Sequence, residues 1–174
     1  MNQHFTKITL LGYMGSGKST VAGILGSEMG LKALDLDDYI AEKEGLPIPE
    51  IFASKGEIYF RTIESRYLKE LLDAQESMVL ALGGGTPCYA DNMDQILQKS
   101  RSYYLKASIA TLVDRLAGEK EERPMISSLA EEQLGEFIAK HLFERRSFYE
   151  RAAETIVIDG KDPHRIAGEI DHSR

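Results

Sequence analysis

The run Gly12-Tyr13-Met14-Gly15-Ser16-Gly17-Lys18-Ser19-Thr20 fits GxxxxGK[ST] at each fixed position and directly follows the apolar segment Ile8-Thr9-Leu10-Leu11. A chain carrying it has to place a glycine-rich turn between a buried strand and a helix. Gly12, Gly15 and Gly17 permit positive φ angles there, so that successive N–H groups can converge on one anion. Lys18 adds a mobile positive charge for the β and γ groups of a polyphosphate, and the Ser19 hydroxyl suits the Mg²⁺ that accompanies one. Val21, Ala22, Ile24, Leu25 and Met29 space an apolar face along the outgoing helix, whose N-terminal dipole favours the same anion. The competing explanation is a chance glycine-rich turn between strand and helix.

The rest of the chain extends this strand-turn-helix unit. Short strand-like runs at Lys7 to Leu11, Lys32 to Leu36, Met78 to Leu82, Ser102 to Leu105 and Thr155 to Ile158 alternate with amphipathic stretches of helical length. Helices are predicted over Thr20 to Met29, Asp38 to Glu44, Pro49 to Lys55, Ile58 to Asp73, Ala90 to Gln98, Ile109 to Ala117, Ala130 to Ala152 and Pro163 to Ile170. Such alternation implies an α/β fold, a parallel sheet covered on both faces, with ligands at the carboxyl ends of its strands. With 174 residues, 43% of them hydrophobic, the chain suits one domain over 1–174 with a substantial core. The polar segment from Gly118 to Pro124 reads either as a solvated turn or as a functional lid.

Charge and cysteine usage exclude several classes. A net charge of −7 and a pI near 5.2 argue against binding nucleic acid through its phosphate backbone. Cys88 is the sole cysteine, so no internal disulfide forms and no zinc-ligand spacing exists; it reads as a packing residue. The apolar stretch before Gly12 is too short and mixed for a signal peptide, and no run approaches the ~18 apolar residues of a membrane span. A soluble, cytoplasmic protein is the default expectation.

Four further constellations fall at the expected carboxyl ends. Asp35 and Asp37 close the second predicted strand, where alternation would set both on one side of the backbone; Asp37 or Asp38 could instead cap the following helix, and Asp38 is given that role. Mg²⁺ and Lys18 would keep both paired carboxylates ionised. Arg61 opens a helix with apolar face Phe60, Ile63, Tyr67, Leu68 and Leu71, and has Glu57 and Glu64 one turn away as ordinary ion-pair partners. Gly83-Gly84-Gly85 follows the third strand, where three glycines are hard to account for unless the backbone is approached closely. Arg145 shares a stripe with Ile138, Leu142, Tyr149 and Ala152, so its guanidinium needs an anion, either an internal carboxylate or a ligand; Arg146 should face solvent.

Taken together, GYMGSGKST, DLD, GE..FR..E, LGGG, RPM and the run from Arg145 to Tyr149 occur in an order that resembles the shikimate kinase family over essentially the whole chain. The resemblance implies a P-loop kinase fold of the nucleoside monophosphate kinase type: a five-stranded parallel sheet in order 2-3-1-4-5, a substrate-binding helical segment at about 37–75 and a lid at about 117–130. It implies Mg²⁺-dependent transfer of the ATP γ-phosphate to the 3-hydroxyl of shikimate, a step toward chorismate and the aromatic amino acids; a monomer with neither nucleic acid nor membrane as partner is expected. Gly15, Ser16, Gly17, Lys18, Ser19 and Thr20 would hold the ATP phosphates, Ser19 and Asp35 the Mg²⁺. Asp37, Arg61, Gly83, Gly84, Gly85 and Arg145 would bind shikimate, the arginines through its carboxylate and Asp37 through its hydroxyls. Arg123 would reach the phosphates from the lid, and Lys161 matches a position that touches adenine. Here Arg-Pro-Met replaces the usual Arg-Pro-Leu, and Arg145-Arg146-Ser147-Phe148-Tyr149 lacks the proline of the usual Arg-x-Pro-x-Tyr. Arg115 lies close to the expected place of the lid's adenine-stacking arginine.

Lys18, Asp37 and Arg123 are then the catalytic candidates. A loose phosphoryl-transfer transition state needs positioning and charge stabilisation more than a strong base, which makes Asp37 chiefly an orienting acceptor. A gluconate-type or adenylate-type kinase would share the fold but not the combination of FR, GGG and Arg145. A guanine-nucleotide switch would need NKxD and DxxG, and neither occurs.

Overall fold

The computed structural model describes residues 5–120 and 125–173. Its five strands are β1 (Lys7–Leu11), β2 (Lys32–Asp35), β3 (Met78–Ala81), β4 (Arg101–Lys106) and β5 (Glu154–Val157), all parallel and in the order β2-β3-β1-β4-β5. Burial explains the order. Every residue of β1 and β3 is buried, as expected of strands covered by helices on both faces, whereas β2 and β5 each expose part of their length at the edges. Lys7 is the one charged residue in β1, and its ammonium donates to the carbonyls of Ala74 and Glu76 (2.5 and 3.0 Å).

Among the described residues seven helices longer than one turn connect and flank the strands: α1 (Lys18–Met29), α2 (Leu36–Glu44), α3 (Ile48–Asp73), α4 (Asn92–Lys99), α5 (Ile109–Ala117), α6 (Glu131–Tyr149) and α7 (Pro163–His172). The two helices expected over Pro49 to Lys55 and Ile58 to Asp73 are the halves of α3, which breaks at Gly56 (φ 82°, ψ 173°), a conformation open almost solely to glycine. The Glu44 carboxylate at the end of α2 reaches both halves. It accepts from the Tyr59 and Tyr67 hydroxyls (each 2.7 Å), and Lys55 Nζ lies 3.5 Å away.

The chain leaves β1 toward β2 and leaves β3 toward β4, so the direction of winding reverses beside β1. In such sheets the crevice for ligands opens at the carboxyl ends of the strands at that reversal. The loops after β1 and β3 emerge there side by side, Leu82 N donating to Leu10 O at 3.0 Å. Of the expected lid, Arg123 lies outside the described residues. Among the described residues no helix is long and apolar enough to cross a membrane.

Candidate active site

The loop after β1 takes the conformation its glycines allow: φ is 148° at Gly12, 80° at Gly15 and 86° at Gly17. A Cβ on Gly12 would stand 2.7 Å from Leu105 O, so this position is closed to larger residues by space as well as by backbone angle. Lys18 Nζ donates to the carbonyls of Gly12 (2.8 Å) and Tyr13 (3.0 Å), which holds the ammonium across the loop. The Ser16 hydroxyl is buried without a hydrogen-bond partner among the described residues, while Thr20 is exposed on the first turn of α1. Arg115, in the last turn of α5, donates to Gly15 O at 3.1 Å and so stands beside the loop.

The Ser19 hydroxyl donates to Asp35 Oδ2, which brings two hard oxygen donors together next to the loop. Such a pair fits Mg²⁺, which is commonly held by one or two protein oxygens together with phosphates and water. No group of three or more His, Cys, Asp or Glu that could cage a metal occurs among the described residues. Asp35 also corrects the expected capping. Its Oδ1 accepts from the N–H groups of Asp37 (2.9 Å) and Asp38 (3.4 Å), so Asp35, not Asp38, is the N-cap of α2. Asp37 is therefore not a strand residue alternating with Asp35. It lies in the first helical turn.

From there Asp37 faces a cleft of about 710 Å³ that also meets Arg61, Glu64, Gly83, Gly84, Gly85 and Arg145, with Phe52, Phe60 and Met125 as apolar wall. Burial, then the negative charges of Asp35 and Glu64, push the Asp37 carboxyl up to about 6, against the pull of Lys18 and Arg61. Asp37 is thus a better proton acceptor than an ordinary carboxylate, yet still mostly ionised at neutral pH.

The three glycines after β3 have a spatial cause. A Cβ on Gly83 would stand 3.2 Å from Asp37 Oδ1, one on Gly84 3.0 Å from Arg145 Nη1, and one on Gly85 2.5 to 2.9 Å from the Arg61 guanidinium. Gly84 and Gly85 each make room for one arginine of the cleft, and Gly83 for the Thr86 hydroxyl (3.0 Å) as well as the Asp37 carboxylate. Gly85→Ala should push Arg61 aside; the displaced group ends a flexible side chain, so the fold should survive with a melting temperature lowered by only a few degrees. Ligand affinity at the cleft should fall about tenfold or more. Calorimetric melting and ligand titration of this variant check the two effects separately.

The two arginines differ in their partners. Arg61 Nη1 donates to Glu64 Oε1 at 2.8 Å, and Glu57 lies 3.8 Å from its Nε. Glu64, only 1% exposed, accepts at its other oxygen from the Thr86 hydroxyl (2.8 Å), and Asn92 Nδ2 donates to Thr86 O (2.9 Å). The ordinary ion pair therefore exists, but as the buried end of a network that fixes Arg61 in the cleft wall. Arg145 forms no ion pair with a carboxylate among the described residues. It lies over the Tyr13 ring, its guanidinium carbon 5.8 Å from the centroid. Tyr149, one turn on, anchors the helix by donating to Gly84 O (2.5 Å), and Arg146 is exposed and paired with Glu150 (3.2 Å) as expected.

Of the other candidates, Lys161 follows β5 with Nζ held by Glu169 (2.7 Å) and does not line this cleft. Cys88 is half-buried beside the site. Burial outweighs Arg145 and Arg61 to push its thiol up to about 11, in keeping with a packing residue. Sequence reasoning passed over His141, which lines the cleft and whose pKa is lowered by burial and by Arg145. The available signal was its place four residues before Arg145 on the same helix face.

Fold and loop define a class: an ATP-dependent P-loop kinase of small molecules, a phosphotransferase with an alcohol as acceptor. Within that class the chain belongs to the shikimate kinase family, whose model matches residues 14–172. It is 46% identical over 166 residues to shikimate kinase of Flavobacterium psychrophilum, covering 94% of this chain and 96% of that one. Among solved structures, shikimate kinase from Bacteroides thetaiotaomicron superposes with a TM-score of 0.91 at 30% identity, covering 97% of each chain. Shikimate kinase from Acinetobacter baumannii in complex with shikimate superposes with 0.89 at 30% identity, covering 98% of this chain and 93% of that one.

Proposed function

We propose that this chain transfers the ATP γ-phosphate to the 3-hydroxyl of shikimate, giving shikimate 3-phosphate and ADP, in the route to chorismate. The observation that carries the reading is Arg145, a guanidinium with no carboxylate partner among the described residues, sharing one cleft with Asp37 beside the phosphate loop. A compact ligand with a carboxylate at one end and hydroxyls at the other satisfies both groups at once. Arg61 and Arg145 would take the carboxylate, Asp37 would accept from the hydroxyls, and the backbone of Gly83, Gly84 and Gly85 would let the ring approach closely.

Gly15 to Thr20 would cradle the ATP phosphates, and Lys18 would exchange its loop carbonyls for phosphate oxygens, where charge develops on the transferring group. Ser19 and Asp35 would hold Mg²⁺, which would supply positive charge to neutralise the phosphates. Asp37 would orient the hydroxyl in line and take its proton late in transfer. Arg123, from a lid at about 117–130, would add charge at the phosphates as the lid excludes water. Lys161 would lie along the adenine, and 37–75 would form the shikimate-binding segment of one domain. The enzyme would act as a cytoplasmic monomer without nucleic acid or membrane.

The test is coupled ADP release with purified protein, ATP and Mg²⁺, offering shikimate, gluconate or AMP as acceptor. Release with shikimate alone is expected; release with gluconate or AMP but not shikimate refutes the reading. Asp37→Asn should then lower kcat by about a hundredfold or more while the Kd for ATP stays within about twofold, because shape is kept and charge lost at the acceptor side. Equal losses in both quantities would put Asp37 on the metal instead.

A further inference from the structure

Two side chains that phosphoryl transfer does not itself require meet against Arg145. Tyr13 occupies a variable position of the phosphate loop, yet its ring is only 2% exposed. Its hydroxyl shares a hydrogen bond with Nδ1 of His141 (3.0 Å), and the two rings meet edge to face, centroids 5.5 Å apart at 88°. Phe137, one turn earlier on α6, also packs against His141 with centroids 5.4 Å apart. The Arg145 guanidinium carbon lies 5.8 Å from the Tyr13 centroid. Tyr13 also touches the nucleotide side of the site, because its backbone carbonyl accepts from Lys18 Nζ at 3.0 Å.

We propose that Tyr13 and His141 are positioning residues for Arg145, the ring of Tyr13, locked by His141, setting the direction in which the guanidinium meets the substrate. The inference rests on the reading that Arg145 takes the substrate's carboxylate. A long side chain without a charged partner among the described residues loses rotamer entropy when a ligand arrives, and an aromatic face that the guanidinium already lies over reduces that loss. Tyr13 can serve only if its own ring is fixed. The bond to His141 fixes it, and the spacing of four residues on α6 puts His141 and Arg145 on one face. Because Tyr13 belongs to the phosphate loop, the aim of Arg145 is tied to the loop that receives the nucleotide.

The test is shikimate titration of the wild type, Tyr13→Phe, His141→Ala and the double variant, with the ATP Kd and melting temperature of each. Tyr13→Phe keeps the ring and loses the bond, so the shikimate Kd should rise about threefold to tenfold, with the ATP Kd within about twofold. The two single variants remove the same bond, so the double variant should be no more than about twofold weaker than the weaker single. Full multiplication of the single effects overturns the pairing. A lowered melting temperature with an unchanged shikimate Kd makes the pair merely structural and overturns the positioning role. Should His141→Ala fail to fold, Tyr13→Phe decides alone. A wild type that binds shikimate normally beside an unaltered Tyr13→Phe removes only this inference, whereas a wild type that does not bind shikimate removes the reading of the site and this inference with it.

Discussion

Lys18→Ala should reduce shikimate-dependent kcat by about a hundredfold to a thousandfold or more while leaving a folded protein. In the structure Nζ bridges the carbonyls of Gly12 and Tyr13, and both can turn to water once the ammonium is gone, so the melting temperature should change by only a few degrees. The charge on the transferring phosphoryl group has no such substitute. Water hydrates it without the fixed orientation that makes a preorganised cation effective in transfer. Steady-state kinetics together with thermal melting separate the two effects, and an unchanged kcat would remove Lys18 from the reaction.

The second large effect is expected at Arg145. Its guanidinium lies over the Tyr13 ring and forms no ion pair among the described residues, so Arg145→Ala breaks no salt bridge there and should alter stability little. Ligand binding should suffer badly. Truncating one member of a desolvated charge pair costs about 2–5 kcal/mol, which is roughly 30-fold to several thousand-fold in shikimate affinity, with ATP binding nearly untouched. Arg61→Ala should behave differently, because it strands the buried Glu64 and so costs stability as well as affinity. The contrast between the two arginines is the sharper check. A large loss of melting temperature for Arg145→Ala with normal shikimate affinity would assign it to the fold.

Much of this could be read from the residues because the relevant signals are local. β3 is a continuous apolar run, β1 is apolar but for Lys7 and Thr9, and the break at Gly56 sits between two separate helical periodicities. The difference between the arginines was also present in the chain. Arg61 has Glu57 and Glu64 four and three residues away, whereas the corresponding neighbours of Arg145 are His141, Leu142, Phe148 and Tyr149, none of them acidic. What escaped was decided by a turn of backbone or by distant contact. Asp35-Leu36-Asp37-Asp38 is compatible with strand and helix alike, and which aspartate caps α2 depends on where the chain bends. Tyr13 fills a motif position that accepts any residue, and its meaning comes from His141, 128 positions away. No periodicity carries that information.

The product formed from shikimate, ATP and Mg²⁺ by the purified protein can be examined by ³¹P NMR with proton correlation. A phosphomonoester signal coupled to the proton on C3 of the ring, growing in step with ADP, is the predicted result; ADP accompanied by inorganic phosphate alone, or by an ester at another hydroxyl, would contradict it.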